Sequence, residues 1–213
     1  MGEHDDFSCG DVWDEYQWER FLQRQDRCTE KYFTLLEKYL DHPDRDLLIS
    51  REMGWETTCE EDEWEREFIC GEEEIEDEEC AEEEFDRFAK SRIYADTINL
   101  HSWINAWLAS DDGLSEDPQA VRLATRSAVC GAKLAAALCG DDSTELGMTI
   151  AYLKRALKAA NDALDAASQL AGRGRLDDHE AATARSLIFA IRDRIVDLMG
   201  EFRMEWQKRY GGR

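Results

Sequence analysis

Proline is nearly missing from these 213 residues: only Pro43 and Pro118 occur. Runs of β-branched residues are missing as well, so little favours strands and little interrupts helices. The fold class that follows is all-α. Long apolar stretches are also lacking, because the longest, Leu134 to Cys139, falls far short of the roughly 20 residues that cross a bilayer. The start, MGEHDDFSCGD, offers neither a basic nor an apolar leader segment, and Asp6 stands where a myristoylation signal requires Ser or Thr. Together these absences lead us to expect a soluble, cytoplasmic chain with no membrane contact.

Cysteine pairs at metal or redox spacing are missing too. The seven cysteines, at 9, 28, 59, 70, 80, 130 and 139, form no Cys-x-x-Cys. An odd, scattered set fits a reducing compartment better than a disulfide framework. Cys59, Cys70 and Cys80 are too widely spaced for a structural zinc frame, and the carboxylates around them suppress the thiolate. Histidine is scarce, and its four positions exclude the obvious enzyme. A carboxylate-rich helical protein invites a ferritin-like di-iron site, which draws Glu-x-x-His pairs from one helix face. Here Met1, Tyr39, Ile98 and Leu176 precede His4, His42, His101 and His179 at that spacing, so no pair exists. His101, beside Leu100, Trp103 and Ile104, reads as a packed histidine, and His179 as part of a helix start.

Arg173 and His179 match the spacing of the arginine and histidine pair in HEPN-type helical ribonucleases. Their placement does not match, since Arg173 falls in a glycine-rich link and not on a helix. No EF-hand loop, phosphate-cradling glycine loop, nucleophile elbow or H-E-x-x-H is present. The expectation is a protein without catalytic residues, metal or cofactor.

What the sequence does have is acid, unevenly placed. Residues 1–90 carry 32 acids against 10 bases, whereas residues 91–213 carry 17 against 16, so nearly all of the net −23 belongs to the first part. Phosphates would be repelled there, which argues against direct nucleic-acid binding.

Hydrophobic spacing assigns the helices. The first is expected from about Asp11 to Asp41, with Trp18, Phe21, Leu22, Cys28, Tyr32, Leu35, Leu36 and Tyr39 along its apolar side and Pro43 beyond its end. A short helix over 44–53 is stopped by Gly54. Residues 91–108 show two stripes, Ile93, Leu100, Ile104 and Trp107, then Tyr94, Ile98 and Leu108, as in a helix packed on two sides. Asp117-Pro118 opens a helix to 139 with a seam of Val121, Ala128, Ala132, Ala135 and Cys139. Asp142 and Glu145 resemble a capping box for the next, whose seam is Leu146, Ile150, Leu153, Leu157, Ala160, Leu164, Ala167 and Ala171. Gly172 and Gly174 break it, and Asp177 with Glu180 caps the last helix, with Ala184, Ile188, Ile191, Ile195, Leu198 and Phe202. The domain reading is an N-terminal helical segment (1–56), an acidic amphipathic segment (57–90) and an up-down four-helix bundle (91–213).

The middle segment holds the candidate site. Residues 60–88 have 17 acids among 29 positions and only Arg66 and Arg87 as bases. Yet Trp64, Phe68 and Ile75, then Ala81, Phe85 and Phe88, fall at helical steps, which a purely solvated tether would not need. We expect amphipathic helices presenting Glu60, Glu61, Asp62, Glu63, Glu72, Glu73, Glu74, Glu76, Asp77, Glu78 and Glu79 with Trp64, Phe68 and Phe85 to a basic protein partner. Aromatics left unburied by the chain itself would need a homodimer or a second protein to cover them. Intramolecular basic groups are another recipient: Arg173, Arg175, Arg203, Lys208, Arg209 and Arg213. The competing readings are a metal-binding or catalytic helical bundle, and a nucleic-acid mimic that inhibits a DNA-binding protein.

Overall fold

In the computed structural model, residues 12–55, 91–139 and 145–211 are described. Among them the protein is all helical: six α-helices and one 3-10 turn, with no strand. The chain divides into two compact units, whose described parts are residues 12–18 with 91–139 and 145–211, and residues 19–55.

Helix α1 (Glu15–Lys38) starts later than the expected Asp11 and ends before the expected Asp41. Asp14 decides the start: its Oδ1 accepts from the amides of Tyr16 and Gln17, both at 2.8 Å, while Gln17 Oε1 accepts from the Asp14 amide at 2.9 Å. That reciprocal box satisfies amides a helix end leaves orphaned. Cys28, expected on the apolar side, is exposed. Helix α2 (Arg45–Met53) stops as expected at Gly54, whose φ of 75° is left-handed. The Gly54 amide donates to Arg51 and the Trp55 amide to Ser50, a Schellman closure. Within the second unit Leu35 of α1 and Ile49 of α2 are buried.

In the first unit, Ser91 caps α3 (Arg92–Leu108) by accepting from the Tyr94 amide. Its expected stripe, Ile93, Leu100, Ile104 and Trp107, is buried, but Ile98 of the second stripe is 44% exposed. Asp117 caps α4 (Pro118–Leu138), with proline in the first turn. Here the seam is rotated from the expected one. Ala120, Leu123, Ser127, Cys130, Leu134 and Ala137 are buried, whereas Val121, Ala128 and Ala132 are exposed. Alanine lies all around this helix, so small residues could not mark the inner face; Leu123 and Leu134 do.

Helix α5 (Leu146–Gly172) has Glu145 at its N-cap position with no side-chain cap bond, and Asp142 lies outside the described residues. Its buried arc is wider than one seam. Leu146, Ile150, Leu153, Ala160 and Ala167 are buried as spaced, Leu157, Leu164 and Ala171 are half-buried, and Ala156, Ala159, Ala163, Ala166 and Leu170 join the core. The reason is that α5 packs on both α4 and α6. Helix α6 (Asp178–Tyr210) opens on the expected Asp177 and Glu180 box, with bonds of 2.7 and 2.9 Å, and buries Ala184, Ile188, Ile191, Ile195 and Leu198.

Packing links α3 to α4, α4 to α5, α5 to α6 and α6 back to α3, and one shared core runs through all four. Gly131 allows α3 its close approach to α4, since a Cβ there would stand 3.1 Å from both Thr97 Cγ2 and His101 Cε1. Arg175, between α5 and α6, pairs with Asp111 and with the capping Asp117. Among the described residues no helix is long and apolar enough to cross a membrane.

Candidate docking face

One face of α1 collects Asp26, Thr29, Glu30, Phe33, Thr34 and Glu37, spaced at three and four residues so that all lie on a single stripe. They line a shallow groove of about 420 Å³. Phe33 is 57% exposed between carboxylates one turn to either side. Among the described residues neither Glu30 nor Glu37 has an ion-pair partner.

The two lysines that flank Phe33 and Glu37 in sequence are engaged elsewhere. Lys31 Nζ donates to the Glu52 carbonyl of α2 at 2.6 Å, and Lys38 Nζ pairs with the Glu52 carboxylate at 2.9 Å. The same carboxylate accepts from the Tyr39 hydroxyl. Hydrogen bonds from Tyr39 and then Lys38 hold Glu52 below the usual carboxylate range. Lys38 is raised in turn, by its bonds to Tyr39 and Glu52. Lys31 and Lys38 are thus turned toward Glu52 of α2.

Aromatic surface continues past Phe33. Tyr32 meets Phe33 edge-on at 5.9 Å and stacks on Trp55 at 5.9 Å and 28°, and Trp55 is 53% exposed. Leu40 and Leu47 are exposed as well. The face therefore combines flat apolar groups with the carboxylates of Glu30 and Glu37, two features suited to a guanidinium.

A second concavity, of about 210 Å³, is lined by Asp14, Glu15, Tyr16, Ile150, Arg203, Trp206 and Gln207.

The acidic residues expected to form the site, Glu60 to Glu63 with Asp62, Glu72 to Glu74, Glu76, Asp77, Glu78 and Glu79, lie outside the described residues, as do Trp64, Phe68 and Phe85. Four of the basic groups considered as their recipients are held in ion pairs, Arg203 with Glu15, Arg175 with Asp111 and Asp117, and Lys208 and Arg209 with Glu205, while Arg213 lies outside the described residues. Arg209 holds the Glu205 carboxyl below its usual range. Arg173 ends α5 and His179 sits in the first turn of α6. Among the described residues no cluster of His, Cys, Asp or Glu is arranged to hold a metal ion. Burial pushes the Cys130 thiol up to about 12.

The stripe on α1 is not among the sequence expectations: its signal is the spacing of Asp26, Glu30, Phe33 and Glu37, far weaker than the dense acid of residues 60–88. No family model, curated protein or solved structure matches the chain.

Proposed function

We propose that this is a non-enzymatic interaction protein, in which helices α3 to α6 form an up-down four-helix bundle that scaffolds an acidic, aromatic-bearing N-terminal region for docking a basic protein. The closed ring of contacts from α3 to α6, with one common core, supports the bundle. The observation that carries the docking reading is Phe33, exposed between Glu30 and Glu37 while Lys31 and Lys38 are engaged with Glu52. An arginine laid on the ring gains about 0.5–1 kcal/mol from the cation–π contact at an exposed site. Each carboxylate it reaches adds roughly 0.2–1 kcal/mol, more if the pair is bidentate. Several such contacts are needed for useful affinity, and residues 60–88, with 17 further acids, would extend the same chemistry.

Titration calorimetry with arginine-rich and lysine-rich peptides of equal charge tests this reading. Binding should favour arginine, weaken steeply between about 0.05 and 0.5 M salt, and fall several-fold in the Phe33→Ala and the Glu30→Gln, Glu37→Gln variants. Equal binding by all variants, or insensitivity to salt, refutes docking at this face.

A further inference from the structure

The bonds that α1 makes to the segment after it leave from one side of the helix. Lys31, Lys38 and Tyr39 reach Glu52, and Tyr32 stacks on Trp55. Leu35, on that same side, is buried. Successive residues of a helix turn by about 100°, so Phe33 and Glu37, each two positions from Leu35, lie nearly opposite it. The groove that they line with Glu30 is therefore on the side that these contacts leave open.

Its shape follows from the side chains. Glu30 and Glu37 stand seven residues apart, about 10 Å along the axis, and Phe33 projects between them. Thr29 and Thr34 beside the ring are short, and the Thr34 hydroxyl is already given to the Glu30 carbonyl at 2.9 Å. No long side chain on the stripe therefore rises over the ring, which stays 57% exposed. From Asp26 to Glu37 the stripe is straight for roughly three turns.

This geometry discriminates between kinds of basic partner. An extended segment draws affinity from main-chain bonds to a sheet edge, and the described residues contain no strand to offer one. A helix satisfies its own backbone and leaves recognition to its side chains, which recur at the same steps of three and four as the stripe. Two positions seven apart on such a helix are also about 10 Å apart, matching Glu30 to Glu37, and a position between them falls over Phe33.

We propose that the basic partner presents an α-helix to this groove, with arginines on one stripe: two set seven residues apart against Glu30 and Glu37, and a third between them on the Phe33 ring. The occupant is argued from charge complementarity and from the shared helical period. The inference rests on docking of a basic protein at the Phe33 face and adds the conformation and the spacing by which the partner is recognised.

Two peptides of identical composition, each of about 16 residues on an alanine-rich helical host, test it against the full-length protein. One carries four arginines at i, i+3, i+4 and i+7, which suits either direction of approach; the other carries the same four spread around the helix. Calorimetry should find the striped peptide several-fold tighter, and the carbon-13 shifts of a labelled striped peptide should move to helical values on binding. Equal affinity of the two peptides, or bound shifts of an extended chain, overturns the helical partner. The Phe33→Ala and the Glu30→Gln, Glu37→Gln variants separate this outcome from failure of the docking itself. If these variants weaken both peptides equally, docking at the face stands and the helical partner falls. If they leave the affinities unchanged, both fall.

Discussion

Ser127 places a hydroxyl in the core of α4 at 1% exposure, with no hydrogen-bond partner among the described residues. A buried polar group without a partner costs about 1–3 kcal/mol, so an apolar group of similar size should do better. Ser127→Ala is expected to stabilise the protein by about 1 kcal/mol in urea unfolding; a loss of stability would mean that the hydroxyl is satisfied after all. Cys130, also in α4, has its thiol pushed up to about 12 by burial, against 9.0 for an ordinary cysteine. Because the folded value is the higher one, its contribution is intact below pH 9 and declines as pH rises toward 12. Cys130→Ala should therefore flatten the alkaline limb of stability, and an unchanged limb rules the thiol out as its cause. Alkylation followed by peptide mapping should modify exposed Cys28 in the native protein and Cys130 only after unfolding. Glu52 has the opposite sign. Its folded value is depressed, so what it contributes is present above the ordinary carboxyl value of 4.5 and lost as pH falls through the lower folded value. Lys38 is raised, and its share persists below 10.5 and disappears above. Both groups are at the surface, so these effects are small beside that of the core thiol.

Helices differ in how openly their inner faces are written. In α3 and α6 the buried positions are mostly large, among them Leu100, Ile104, Ile188, Ile191 and Ile195, and spacing alone identifies them. In α4 the inner and outer faces both carry alanine, so periodicity of small residues gives no direction, and the seam is set by the two leucines. Substitution distinguishes the two orientations. Leu134→Ala should cost about 2–5 kcal/mol by removing a fully buried side chain, whereas Ala128→Lys should change stability by no more than about 0.5 kcal/mol on an exposed face. A large cost for the second would restore the seam expected from sequence, with Ala128 facing inward. Helix ends were legible where polar caps are local: Asp117, Asp177 with Glu180, and Gly54. The start of α1 was less so, because the apolar positions begin only at Trp18 and leave the first turn to the Asp14 and Gln17 box. Asp177→Ala, which removes an acceptor from the first turn of α6, is expected to cost about 1 kcal/mol by thermal or urea unfolding. The candidate face was legible only as spacing, since nothing in the sequence says that Lys31 and Lys38 turn toward Glu52.

At the scale of the whole molecule, charge is the property that composition fixes and packing does not remove. A net charge of −23 repels itself, and the repulsion is long-ranged at low ionic strength. Added sodium chloride between about 0.02 and 0.3 M should therefore raise the melting temperature, even though it weakens surface pairs such as Lys38 with Glu52. A falling melting temperature over that range would show that attractive pairs outweigh the net repulsion. The ring of helices has its own unevenness: α4 on α5 is the broadest interface, α5 on α6 the next, and α3 is held by much less on either side. Such a ring opens at its thinnest joint, because each local opening costs only the surface it exposes. Amide protons of α3 should consequently exchange with deuterium soonest of the four helices, and those of α4 and α5 together and last, so that isotope uptake would reproduce the order in which the protein comes apart.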